Sequence, residues 1–219
     1  MLRTVSSLLS NGGFQRVISV RERVANRYSG QVVDGLLGDG IIAPRSIGDA
    51  LNIVFSSCAP TSNVDVDLRE FAEGARHAVH TSMLHMFSKA VVQCQVDRTA
   101  PADDVNNFLM AACAPPLYEK LLNKSAHSSA PTQFAVPQRV KSCAILSADY
   151  AHDDDDEVLK FSVMSDVVCV MKPLAEPEPA TTALPDTVVE VAVKATFRSR
   201  IVPDGSLDWI LENIRMTKV

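Results

Sequence analysis

Three histidines, His77, His80 and His85, lie close together in one stretch of the chain, and His77 and His80 are spaced to share a helix face. A metal would need a carboxylate or thiolate at a matching spacing to complete its shell, and none stands there, so surface histidines are the better reading. Asp153-Asp154-Asp155-Asp156 concentrates carboxylates, but it lacks the spaced ligands and the glycine of a calcium loop. It reads as a solvated hairpin tip. The five cysteines (Cys58, Cys94, Cys113, Cys143, Cys169) form no CxxC pair, and their odd number argues against a secreted disulfide scaffold. Buried reduced thiols are expected. The chain shows no GxSxG, no P-loop, no dinucleotide fingerprint and no HExxH. If a pocket exists, Asp166, His80 and Tyr118 are the polar groups to converge in it, although nothing in their spacing brings them together. The expectation is a protein without catalytic, cofactor-binding or metal-binding residues, and not an enzyme.

Those side chains sit in a chain of 219 residues, long enough for one well-buried domain with appendages. Charge is unevenly spread. Residues 1–30 carry Arg3, Arg16, Arg21, Arg23 and Arg27 against a single acid, Glu22, and the other 16 bases face 25 acids. An acidic body repels phosphate, so nucleic acid is an unlikely partner. Met1–Gly30 has the Arg-rich, acid-poor, amphipathic character of a mitochondrial targeting segment, with Phe14, Val17, Ile18 and Val24 on one helical side. Residues 31–64 are rich in Gly, Ser and Pro and predict an extended arm, with a short helix over Ile47–Phe55 after a Ser46 cap. An apolar arm without a core of its own lies on its own domain or on a neighbour.

Residues 65–219 predict the folded domain. Leu68, Phe71, Ala72, Ala75, Val79, Met83, Met86, Phe87 and Ala90 recur at three- and four-residue steps, predicting a long helix over Asp65–Gln95 capped by Asp65 or Asp67. Pro115-Pro116 divides the next helical stretch near Ala102–Ala114 and Pro116–Asn123. Ser125–Pro137 reads as a polar loop. Arg139–Tyr150 alternates as a strand with Val140, Ala144, Leu146 and Ala148 on its oily face, and Glu157–Met171 follows with Leu159, Phe161, Val163, Val167 and Cys169. Proline- and acid-rich residues 173–185 form a stiff connection. Thr187–Met216 then predicts a hairpin, with Val189, Val191, Val193, Ala195 and Phe197 on one face, a Pro203-Asp204-Gly205-Ser206 turn, and a return strand carrying Trp209. The alternation blurs in the return strand, which implies either two covered faces or a bulge near Leu211.

Helices ahead of an antiparallel sheet define an α+β domain, with the long helix and shorter helices packed on a curved four-stranded sheet. The order of elements resembles the Tim-forty-four-like domain family over roughly Val66–Val219. The residues that carry the likeness are Leu68-Arg69-Glu70-Phe71-Ala72-Glu73-Gly74-Ala75-Arg76, Pro116-Leu117-Tyr118-Glu119-Lys120-Leu121 and Pro203-Asp204-Gly205-Ser206-Leu207-Asp208-Trp209-Ile210-Leu211-Glu212-Asn213. Members include the C-terminal domain of the mitochondrial import-motor tether and a mitoribosomal large-subunit protein. The resemblance implies a cone fold similar to nuclear transport factor two or cystatin. It also implies residence on the matrix side of the inner membrane, and tethering in place of catalysis. The expected role is a non-catalytic accessory subunit of a mitochondrial inner-membrane complex, with a respiratory complex or ATP synthase preferred and contacts to its other subunits. Two alternatives remain open. One is a membrane-associated adaptor for protein import or the mitoribosome, touching cardiolipin. The other is a cone that binds a small molecule or lipid.

Overall fold

In the computed structural model the described residues are 21–59, 64–97, 99, 101–122, 132–153, 156–174, 187–202 and 206–218. The first part of the targeting-like segment, the middle of the aspartate run, the Pro203–Gly205 turn, most of the polar loop and most of the proline-rich connection lie outside them. Among the described residues seven helices precede four strands. They are α1 (described over 21–27), α2 (Gly30–Gly38), α3 (Ile47–Ser57), α4 (Leu68–Met86), α5 (Lys89–Asp97), α6 (Asp103–Ala112) and α7 (Pro115–Leu122). The strands β1 (Gln133–Asp153), β2 (Asp156–Pro173), β3 (Thr187–Ile201) and β4 (Ile210–Lys218) form one antiparallel sheet in the order β1-β2-β3-β4. The protein is therefore α+β, as its order of elements predicts.

The chain divides into two compact units, and α4, β1, β2 and β3 each pass from one into the other. The first unit holds the chain up to Gly74 with Cys143–Val163 and Thr196–Trp209. Its core sets an aromatic cluster among aliphatic residues such as Ile42, Ile53, Ile145 and Leu159. The ring of Phe71, from the first turns of α4, lies 4.8 Å from that of Phe161 on β2 and 4.8 Å from that of Trp209, and meets Phe197 on β3 edge-on at 6.0 Å. Trp209 also stands edge-on to Phe161 at 5.6 Å. Helix and sheet thus bury apolar faces in each other here, and each such ring pair adds roughly 0.5–1.5 kcal/mol beyond its buried area.

The second unit holds Ala75–Ser142, Met164–Ala195 and Ile210–Val219. Its core is aliphatic and sulfur-bearing: Val79, Met83, Met86, Val91, Leu109, Leu117, Val167, Cys169, Val191 and Val193 are all buried. Helices α6 and α7 pack against β4.

Several local expectations hold. Ser46 caps α3, its hydroxyl accepting from the Asp49 amide at 3.1 Å. Asp67 caps α4, one carboxylate oxygen accepting from the amides of Arg69 (2.8 Å) and Glu70 (3.1 Å). The proline pair separates α6 from α7, with Pro115 in the first helical turn, where a missing amide costs nothing. On β3, Val191, Val193, Ala195, Phe197 and Ser199 are buried, and Val189 on the same face is half-buried.

Other local expectations need correction. The single long helix is two, α4 and α5. Ser88 starts the second one: its hydroxyl accepts from the Val91 amide at 3.3 Å, and its carbonyl accepts from Val92. A capping serine competes with helix continuation, and the Phe87 carbonyl just before it accepts from the Ala135 amide of β1 instead. The arm is largely helical, since α2 was not expected. Strand β1 starts at Gln133, inside the expected loop, and its buried residues include Ala135, Cys143 and Ile145, whereas Val140, Ala144 and Leu146 are half-buried. Both faces of that strand carry apolar residues, so alternation alone does not choose between them. The phase changes between Ile145 and Ala148, which is also buried. The return strand begins only at Ile210, while Leu207 makes a lone antiparallel bridge to Ile201.

Candidate functional site

The densest polar assembly lies in the first unit, where α1 meets the link between α3 and α4. At the end of α3, Cys58 and Ala59 are fully buried, and Ala59 is held at φ 27°, in the left-handed region that a residue with a Cβ seldom adopts. Helix ends leave carbonyls without intrahelical partners. Here Arg23 supplies the donor: its Nη2 donates to the Cys58 carbonyl at 2.6 Å and to the Ala59 carbonyl at 3.2 Å. A cation at a helix C-terminus also meets the negative end of the helix dipole.

Acidic residues balance the arginines. Asp65 lies 3.6 Å from Arg23 and 3.2 Å from Arg27, and Arg27 is 3.9 Å from Asp67. The Tyr28 hydroxyl lies 2.8 Å from Ser57 Oγ and donates to the Val66 carbonyl at 3.5 Å. The Val66 amide in turn donates to the Ser57 carbonyl at 2.7 Å, which ties the start of α4 to the end of α3. Arg69 on α4 reaches back to Asp39, just past α2, at 2.6 Å. Burial pushes the Tyr28 hydroxyl above its ordinary pKa against the opposing pull of the Ser57 contact and the Arg27 charge. Burial, helped by the Asp65 charge, raises the Cys58 thiol as well. The assembly is a structural clamp: it caps two helices and neutralises two arginines. Its thiol is held in the protonated, unreactive form.

Sequence reasoning assigned Arg23 and Arg27 to a leader and missed this role, because an arginine-rich, acid-poor segment looks the same in either case. The available signal was the pair Asp65 and Asp67 just ahead of a predicted helix, with only one of the two needed as its cap.

The three residues named for a pocket are not joined to one another. Asp166 on β2 accepts from Ser142 Oγ at 2.6 Å, the Tyr118 hydroxyl donates to Asn106 across α6 and α7, and His80 is half-buried on α4. His85 stacks on the Phe108 ring at 4.0 Å, His77 is exposed, and among the described residues no group of His, Cys, Asp and Glu is arranged to hold a metal. Cys113 is buried, and burial pushes its thiol up to about 11; burial raises Cys169 too.

Most large apolar side chains are covered, but α3 presents Ile47 at 82 % exposure and Leu51 at 65 %, one helical turn apart. Its C-terminal half is buried, at Ile53, Val54, Ser56 and Ser57. No helix among the described residues is long and apolar enough to cross a membrane.

What fold and site define together is an α+β protein organised around a clamp of arginines and aspartates. No protein-family pattern matches the chain, and no curated protein matches it. Among solved structures it is similar to CagV, a VirB8 homolog of the T4SS from Helicobacter pylori strain 26695. The identity is 10%, over 65% of this chain and 98% of that one, with a TM-score of 0.27. A likeness that slight carries no argument about function.

Proposed function

We propose that this chain is a Tim-forty-four-like, non-catalytic accessory subunit on the matrix side of a mitochondrial inner-membrane complex, where it works through protein–protein contacts. The observation that carries the reading is α3, whose C-terminal half buries Ile53 and Val54 while its N-terminal half leaves Ile47 and Leu51 exposed to solvent. A helix that is buried at one end and exposes an apolar pair one turn apart at the other is suited to a second protein surface. The mitochondrial location is supported by the arginine-rich, acid-poor N-terminal residues. The acidic body favours protein partners over nucleic acid. A respiratory complex or ATP synthase is the preferred host.

The test is co-purification after mild detergent extraction of mitochondria. The full chain is expected to migrate with a large membrane complex, and the Ile47→Asp, Leu51→Asp double variant to migrate free while still folded. Recovery of the unaltered chain as a free monomer, or outside mitochondria, would overturn the proposal.

A further inference from the structure

The targeting-like segment and the folded body overlap, and the overlap has a consequence for how the chain is processed. We infer that residues 23–28 are retained in the working protein and that any removal of a leader cuts the chain ahead of Arg23. The inference rests on the mitochondrial reading only for the existence of a cut; the retention itself rests on the clamp.

Four observations carry it. Arg23 holds the carbonyls of Cys58 and Ala59, at 2.6 and 3.2 Å, where the backbone of Ala59 is in the left-handed region. Asp65 stands beside both Arg23 and Arg27, with their side chains only 24 % and 34 % exposed. The Tyr28 hydroxyl is packed against Ser57, a fully buried residue. The Tyr28 amide donates to the Val24 carbonyl at 2.8 Å, so the residues that make these contacts form one continuous helical piece. Removing them would leave two buried carbonyls without their donor and Asp65 without both of its cations. A buried polar group that loses its partner costs more than the bond itself contributed. Arg21, by contrast, is exposed and belongs to the part of the segment that can be lost.

The overlap also gives Arg23 and Arg27 two states. In the unfolded chain they are free cations that add to the basic, amphipathic signal; in the folded chain Asp65 and Asp67 neutralise them. Folding thus withdraws part of the signal.

Two experiments test this. The first maps the N-terminus of the C-terminally tagged protein recovered from its own cells, by mass spectrometry. A first residue at or before Arg23 is expected, and a first residue beyond Arg23 overturns the inference. An intact Met1 agrees with retention but removes support for a cleaved leader, so the two readings fail separately. The second compares thermal unfolding of full-length Arg23→Gln and Arg21→Gln. Losing a charged donor to two buried carbonyls predicts a midpoint lower by about 4–8 °C for Arg23→Gln and unchanged for Arg21→Gln. Equal midpoints for both variants would show that the clamp contributes nothing and overturn the inference.

Discussion

In the first unit, the β1 edge of the sheet is met by a stretch of arm. Ile42 pairs in parallel with Ile145, with the Ala43 amide donating to the Ile145 carbonyl and the Ile145 amide to the Ile41 carbonyl. In the second, the β4 edge is met by the break between α6 and α7. Cys113 pairs in parallel with Leu211, whose carbonyl accepts from the Ala114 amide. Both devices occupy amides and carbonyls that would otherwise offer a template for aggregation. They differ in the units they belong to. Among the described residues the first unit adds a cluster of four aromatic rings and the charged clamp to its buried aliphatic side chains, whereas the buried hydrophobic side chains of the second include no aromatic ring.

The largest test of this contrast compares one aromatic residue from each unit. Phe71 is buried and touches three other rings, so Phe71→Ala should cost about 3–5 kcal/mol in denaturant-induced unfolding. Phe108 is half-buried and stacks on His85, so Phe108→Ala should cost about 1 kcal/mol. Similar losses for the two variants would dissolve the distinction.

Cys113 sharpens it from the other side, because burial in the second unit holds its thiol protonated. The group ionises near 9 when free and at about 11 in the fold. Between those values only the unfolded chain releases the proton, so stability is full below pH 9 and falls as the pH rises from 9 to 11. The loss should reach about 2–3 kcal/mol, and Cys113→Ala should flatten that part of the profile. Burial also raises Cys58, Cys169 and Tyr28, which add to the alkaline decline in the same direction. The readout is therefore the difference in slope between variant and parent. A variant that loses stability with pH as steeply as its parent would mean the thiol is not shielded.

How much of this was legible in the sequence follows the same division between local and distant causes. Pro115-Pro116 announces its helix break through its own covalent geometry, and Ser46 announces its cap through the run that follows. Ser88 carries a similar signal, but it is hidden inside an apolar periodicity that continues past it to Ala90, an exposed residue. The face of β1 was illegible because Cys143 and Ile145 compete with Ala144 and Leu146 for the same core, and only the neighbouring strand and helices decide. The pairing of Ile42 with Ile145 and the grip of Arg23 on Cys58 join residues far apart in the chain, and no local pattern encodes either. The clamp's one local sign was the pair Asp65 and Asp67 ahead of the α4 helix, which does not say which cations they meet.

The smallest expected effect comes from two buried serines, one in each unit. Ser199 is 1 % exposed, and its hydroxyl donates to the Arg200 carbonyl at 3.1 Å. Ser165 is fully buried on β2 in the second unit, between Val163 and Val167 in sequence, and its hydroxyl has no hydrogen-bond partner among the described residues. A hydroxyl taken out of water without a partner destabilises the fold, whereas one that keeps a bond roughly breaks even. Ser165→Ala should therefore raise stability by about 1 kcal/mol, and Ser199→Ala should lower it by about 0.5–1 kcal/mol. Opposite signs in paired urea titrations would show that the second unit carries an uncompensated polar group in its core. If Ser165→Ala instead destabilises, that hydroxyl has a partner in solution, and the contrast between the two units is weaker at that point than the buried side chains imply.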